Sequence, residues 1–205
     1  MNGKVTESLT IEDRSVSKTK YVNHVFRRVT GFYKKIAATK PIEINAEVII
    51  LSGGGLILPY FSSSRGKWKI VLVSQYRPSV KTITLEAAGG GLNSEPANTA
   101  LSRELLEETG IKVNPQSIKI AVNEYTHPSI LSSRFIGGIV RINQCMVQNK
   151  RKAGNKYENE RTQVEVFGLV ELIKKREANL ITLDLMTSRL VDEVAKTVGL
   201  LVKNY

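Results

Sequence analysis

The chain has 205 residues, 41% of them hydrophobic, with 30 Lys and Arg against 19 Asp and Glu and a single cysteine. That length fits one domain with an elaborated terminus and a sizeable core. One cysteine excludes an internal disulfide, and no stretch approaches the roughly 18 apolar residues of a spanning helix. The first residues, MNGKVTESLTIEDRSVSK, hold no apolar run like that of a secretory signal, so a reducing, cytoplasmic location without membrane attachment is expected.

The net charge of +11 is unevenly placed. Cations crowd residues 14–40, among them Arg14, Arg27, Arg28, Lys34 and Lys35, and recur at Lys150, Arg151, Lys152 and Lys156. A basic surround suits a phosphate-bearing ligand, although a merely basic, soluble surface has the same composition. Aromatics interleaved for stacking on single strands are scarce, which disfavours nucleic acid as the partner.

In chain order, residues 1–40 read as strands and turns of an N-terminal extension. Residues 46–51 (AEVIIL) are a short β-rich run, and 52–66 are a break with three glycines and SSSRG. Residues 67–75 (KWKIVLVSQ) are a strand ending in Tyr76-Arg77-Pro78, and Thr82–Glu86 is a short strand leading into Ala87-Ala88 and three glycines. A helix is expected over 95–109. Pro96 falls in its first turn, where a missing N–H is harmless. Ser94 or Glu95 caps it, Gly110 ends it, and Leu101, Leu105 and Leu106 face the core. Strands near 117–125, 134–142 and 163–170 follow, then helices over about 171–178 and 182–198. Cys145 reads as inert core in an apolar strand. Strands and helices mingle, which points to an α/β fold with helices on both faces of a mixed sheet.

The densest chemistry lies in residues 89–111, GGGLNSEPANTALSRELLEETGI. Glu104 and Glu108 are spaced i,i+4 and Glu104 and Glu107 i,i+3, so all three carboxylates crowd one helix face. Like charges that close destabilise a bare helix, and a hard divalent cation with oxygen ligands relieves the repulsion. Glu104 and Glu108 are the first choice as ligands, and Glu107 is the next. Arg103 reaches Glu107 at i,i+4.

Gly89, Glu95 and Arg103-Glu104-Leu105-x-Glu107-Glu108-x-Gly110-Ile111 resemble, position by position, the Nudix box of the Nudix hydrolases. The resemblance implies the Nudix fold, an α/β/α sandwich, in residues 46–205, with 1–45 as a β-rich extension. It also implies hydrolysis of a nucleoside diphosphate linked to a second moiety, with magnesium or manganese. Glu104, Glu107, Glu108 and the Ala88 carbonyl would hold the metal, which neutralises pyrophosphate charge and activates the attacking water. Arg103 would orient the carboxylates, and Glu95 would be structural or an outer metal contact.

Gln75-Tyr76-Arg77-Pro78 and Leu85-Glu86-Ala87-Ala88-Gly89 resemble the lead-in of the ADP-ribose pyrophosphatase branch, except that Ala87 stands where that branch has proline. Tyr157-Glu158-Asn159-Glu160-Arg161 resembles its catalytic loop, which implies Glu158 as general base and Glu160 as its substitute or a substrate contact. A solvated glutamate pair is the alternative. Tyr125-Thr126-His127-Pro128 falls where the branch has a loop over the substrate, and His127 reads as a satisfied loop residue. Arg77 would clamp a phosphate or pair with Glu86 across neighbouring strands, and both can hold. The implied substrate is ADP-ribose or a related nucleoside diphosphate sugar, and the implied assembly is a homodimer formed through residues 1–45. Capped RNA or a dinucleoside polyphosphate is the alternative substrate. A non-catalytic ADP-ribose sensor is the alternative of another class, and the complete carboxylate set argues against it.

Overall fold

The computed structural model describes residues 5–18, 23–35, 42–50, 53–126, 128, 133–147 and 163–200. They form two compact units, one of residues 1–53 with 125–134, the other of residues 54–124 with 135–205. The division falls at Gly53, beyond the boundary at residue 45 expected from the sequence.

The first unit holds β1 (Val5–Lys18), β2 (Asn23–Lys35) and β3 (Ile42–Ile50), an antiparallel three-stranded sheet in that order. Leu9 stands opposite Gly31 and Gly31 opposite Ile44, and a bulge interrupts β1 between Asp13 and Ser15. The extension is therefore β-rich, as expected. β3 begins earlier than the apolar run alone indicated, because Ile42, Ile44, Ala46 and Val48 alternate with polar residues at the strand period.

The second unit is an α/β assembly. Its strands are β4 (Gly54–Ser62), β5 (Trp68–Arg77), β6 (Thr82–Glu86), β7 (Ala88–Gly91), β8 (Lys119–Tyr125), β9 (Arg134–Arg141) and β10 (Gln163–Gly168). The sheet runs β10-β5-β4-β9-β8, with β6 paired to β5 and β7 to β4. β4 and β9 are parallel, while β4 runs antiparallel to β5 and β7, so the sheet is mixed. Three helices are described: α1 (Ala97–Thr109), α2 (Leu169–Glu177) and α3 (Leu185–Thr197).

Strand alternation divides the core between the two faces of this sheet. Ile57, Val71 and Val140 point to one face and pack with Leu101 and Leu105 of α1. Leu58, Ile70, Leu72 and Ile139 point to the other and pack with α2 and α3 through Leu169, Leu172, Leu190 and Val194. Each of these side chains gains about 1.5–3 kcal/mol from full burial. A 13-residue helix such as α1 is marginal by itself, so Leu101 and Leu105, both 0% exposed, hold it in place.

Four expectations change. The break over 52–66 contains β4, which lies within the sheet and is flanked by β5 and β9. Its glycines are packing requirements: a β-carbon on Gly55 would come within 2.8 Å of Leu101 Cδ2. Pro59 is tolerated because β7 pairing ends at Ile57 and β5 pairing starts at Tyr60, so that side of the strand has no ladder bond to lose. α1 starts at Ala97 with Pro96 as an N-cap that makes no side-chain bond. Asn93 and Ser94 take left-handed backbone conformations in the preceding turn, and Glu95 pairs with Arg103, so neither Ser94 nor Glu95 caps the helix. Leu106 is 44% exposed and lies off the core stripe. Cys145 is exposed in a one-turn 3-10 helix, because the chain leaves the sheet after Arg141 and the Asn143 carbonyl accepts the Met146 N–H at 3.0 Å. Gly110 ends α1 as expected, at φ 73°, with its N–H on the Leu106 carbonyl.

Candidate active site

The site is built where β7 meets α1. β7 lies against β4 with Gly89 opposite Leu56, Gly90 opposite Gly55 and Gly91 opposite Gly54. Two of these glycines have steric causes. A β-carbon on Gly89 would overlap the Gly55 carbonyl oxygen, and one on Gly90 would sit 2.5 Å from Glu104 Oε1 and 2.7 Å from Oε2. The bare backbone lets the strand settle on the Glu104 carboxylate.

Arg103 ties the cluster together. Its Nε donates to Glu95 Oε1 at 3.0 Å, and Nη1 donates to Glu104 Oε1 at 2.8 Å and Glu107 Oε2 at 3.3 Å. Nη2 donates to the Gly91 carbonyl at 3.2 Å. Partial burial opposes the charge of Arg103. The hydrogen bond and charge of Glu104, helped by Glu95 and Glu107, outweigh it and hold its pKa above the ordinary value. The expected Arg103–Glu107 contact is present, and Glu95 shares the same guanidinium. Glu108 turns to the glycine loop, where Oε2 accepts the Gly89 N–H at 3.0 Å. Glu104 is the buried member and Glu107 the exposed one, with side chains 11% and 42% accessible.

The lead-in strands hold a second cluster. Arg77 of β5 grips Glu86 of β6 with two bonds, Nε to Oε1 at 2.8 Å and Nη2 to Oε2. The Thr84 hydroxyl donates to Glu86 Oε1 as well. Burial alone would raise the Glu86 pKa. The bonds from Arg77 and Thr84 and the Arg77 charge prevail and hold it below the ordinary value. The ion pair is thus observed, and Arg77 keeps 41% of its side chain accessible.

Two residues of α3 join this region without any signal singled out in the sequence. Asp184 caps α3, its Oδ1 accepting the Met186 and Thr187 N–H groups at 2.9 Å each. Thr187, fully buried, accepts the Ala87 N–H on its hydroxyl at 2.7 Å. Burial, together with the Glu86 charge, raises the Asp184 pKa against the bonds from Thr187 and Met186. An Asp just ahead of a helical run is a cap signature that could have located Asp184. Nothing in the sequence marks Thr187, because its partner lies a hundred positions away. The Ala88–Gly89 segment is therefore held on both sides, by Thr187 at Ala87 and by Glu108 at Gly89.

The structure thus brings together Ala88, Gly89, Glu95, Arg103, Glu104, Glu107 and Glu108, with Arg77 and Glu86 on the strands leading in. Glu158 and Glu160, with Tyr157 and His127, lie outside the described residues. Among the described residues no three His, Cys, Asp or Glu side chains are gathered closely enough to hold a metal ion directly, since Arg103 and Gly89 engage the glutamates. The cluster lines neither of two clefts, of about 410 and 340 Å³. No helix among the described residues is long and apolar enough to cross a membrane. No protein-family model and no curated protein matches the chain.

Proposed function

We propose that the chain is a metal-dependent pyrophosphatase of the Nudix type. It would cleave ADP-ribose or a related nucleoside diphosphate sugar to a nucleoside monophosphate and a sugar phosphate. The observation that carries this reading is the Glu104 carboxylate seated on the bare Cα of Gly90, beside Glu108 on the Gly89 amide. A side chain at position 90 would occupy the space that this carboxylate fills.

The donor set is hard oxygen, which fits magnesium or manganese. Glu104, Glu107, Glu108 and the Ala88 carbonyl would hold the ion once it replaces Arg103 and the Gly89 amide as the partners of the glutamates. When bound, it supplies charge neutralisation of the diphosphate and activation of water. Arg103 orients Glu104 and Glu107 and offsets their mutual repulsion. Arg77 meets a substrate phosphate with its exposed edge while Glu86 holds the guanidinium in place. Glu158 takes the proton of the attacking water, and Glu160 is a substrate contact. A homodimer through the N-terminal sheet and a cytoplasmic location complete the reading.

The test is hydrolysis by the purified chain with magnesium, against ADP-ribose, sugar nucleotides, dinucleoside polyphosphates and capped RNA. ADP-ribose or a sugar nucleotide should be the preferred substrate. Cleavage of capped RNA with ADP-ribose left intact would replace the substrate. Tight ADP-ribose binding without any turnover would make the chain a sensor.

A further inference from the structure

The larger cleft lies away from the carboxylates. Lys112, Arg141 and Ser117 line it, together with Val113, Ile142 and Met146, and no Asp or Glu among the described residues borders it. Gly54 stands opposite Gly91 of the glycine loop, while Tyr60 stands opposite Arg141. The stretch of β4 from Gly54 to Tyr60 spans roughly 20 Å, so the cleft and the candidate active site occupy opposite ends of this strand. They also use different sides of α1. Glu104 and Glu108 meet the glycine loop, whereas Asn98 and Ser102 hold the segment that lines the cleft.

The walls are braced. Ser102 Oγ donates to the Val113 carbonyl at 2.9 Å, and Asn98 Nδ2 donates to the Pro115 and Ile118 carbonyls at 3.0 and 3.2 Å. The Ile142 N–H donates to the Tyr60 carbonyl at 2.9 Å. The Arg141 guanidinium lies over the Trp68 ring, 5.4 Å from its centroid, which orders its planar fork. Lys112 and Arg141 are exposed, and among the described residues neither pairs with a carboxylate.

Two exposed cations, Arg141 held over Trp68 and Lys112 beside it on the cleft, attract an anion, and a guanidinium fork matches a phosphate. The cleft opens past the carboxyl ends of the parallel strands β4 and β9, the usual place for ligands on α/β sheets. An apolar lining beside a few convergent polar groups is the make-up of a small-molecule site. We propose that this cleft is a second binding site, separate from the carboxylates, for a small phosphomonoester. Lys112 and Arg141 hold the phosphate, and the apolar body of the ligand rests on Val113, Ile142 and Met146.

Trp68 is the sole tryptophan, so its emission reports on Arg141. The experiment titrates the full chain, without magnesium and with a chelator, using adenosine monophosphate, adenosine and inorganic phosphate. Adenosine monophosphate should change the Trp68 emission saturably, inorganic phosphate should bind about tenfold more weakly, and adenosine should not bind. Arg141→Gln alters the Trp68 baseline, so the variants are read by calorimetry. Lys112→Gln and Arg141→Gln should each weaken adenosine monophosphate binding about tenfold, the loss of one charge-assisted contact. Glu108→Gln should leave it unchanged. No saturable change and no heat, full binding by the double variant, or loss of binding in Glu108→Gln would each overturn the proposal. So would a 5′-phosphorylated oligonucleotide that binds far more tightly than the mononucleotide with a steep salt dependence.

Discussion

Gly90 and Glu104 are in direct contact: a β-carbon on Gly90 would lie 2.5 Å from the Glu104 Oε1 oxygen. Glu104 is 9% exposed and already bonded to Arg103, so its carboxylate has little room to retreat. Gly90→Ala should therefore displace the carboxylate while leaving the sheet folded. A shift of about 1 Å in a catalytic group can lower turnover about 10²-fold. Steady-state kinetics together with manganese binding should show both falling. Wild-type turnover in Gly90→Ala would remove Glu104 from the ligand set.

Glu104→Gln and Glu108→Gln each remove one negative oxygen donor. Turnover should drop by about two to three orders of magnitude, in keeping with the loss of a group that stabilises transition-state charge. Circular dichroism should remain unchanged. Near-normal activity of either variant at saturating magnesium would show that the site is assigned wrongly.

The general base is assigned through the likeness of residues 157–161 to the catalytic loop of the ADP-ribose branch. Glu158→Gln should lower kcat about 10²–10⁴-fold, with KM and metal affinity nearly constant, and Glu160→Gln should do much less. The acid limb of the pH–rate profile should shift or vanish in the Glu158 variant. Equal, mild effects would move the base to Glu107.

Glu86 makes the stability of the second unit pH-dependent. Its folded pKa is depressed by Arg77 and Thr84 against the cost of burial, so the folded state holds its proton more weakly than the unfolded state. The resulting stabilisation is complete above the unfolded carboxylate pKa and is lost as pH falls towards the lower, folded one. Asp184 has a raised pKa and works in the opposite sense, gaining native-state protonation as pH falls. In denaturant melts Glu86→Gln should flatten the acid-side loss of stability, and Asp184→Asn should steepen it. A Glu86→Gln curve parallel to that of the unmodified chain would contradict the assignment.

Thr187 is a positioning residue for the loop that leads into Gly89. Thr187→Val keeps the shape and leaves the Ala87 N–H without its acceptor. A buried amide without its partner costs about 1–3 kcal/mol, to be read from the denaturation midpoint. The loop also loosens, so manganese affinity should fall. Thr187→Ser should restore both quantities. Recovery of stability without recovery of metal affinity would confine Thr187 to a structural role.

The parts of this site that are legible in the sequence are the local ones. The spacing of Arg103, Glu104, Glu107 and Glu108 fixes their face of α1, and the Arg77–Glu86 pair follows from adjacent strands. β4 was obscured because Gly54, Gly55 and Pro59 read as loop residues. Their tolerance comes from the close approach of Leu101 and from the gap in pairing between Ile57 and Tyr60, both tertiary facts. Leu106 fits the apolar pattern of α1 yet faces outward, since the core stripe is set by what packs on Leu101 and Leu105. Asp184 and Thr187 reach the site only through the packing of α3 beneath the sheet.

The Thr187–Ala87 bond also sets an order of events during synthesis. Ala87 is translated a hundred residues before the hydroxyl that fixes it. At about 5–20 residues per second that interval is about 5–20 s. During it β6, β7 and α1 can pair locally, but the backbone ahead of Gly89 has no hydroxyl to hold it. Metal affinity should therefore appear late on the nascent chain, only after α3 has emerged and docked. Manganese binding by ribosome-bound chains halted before and after α3 would show whether it does.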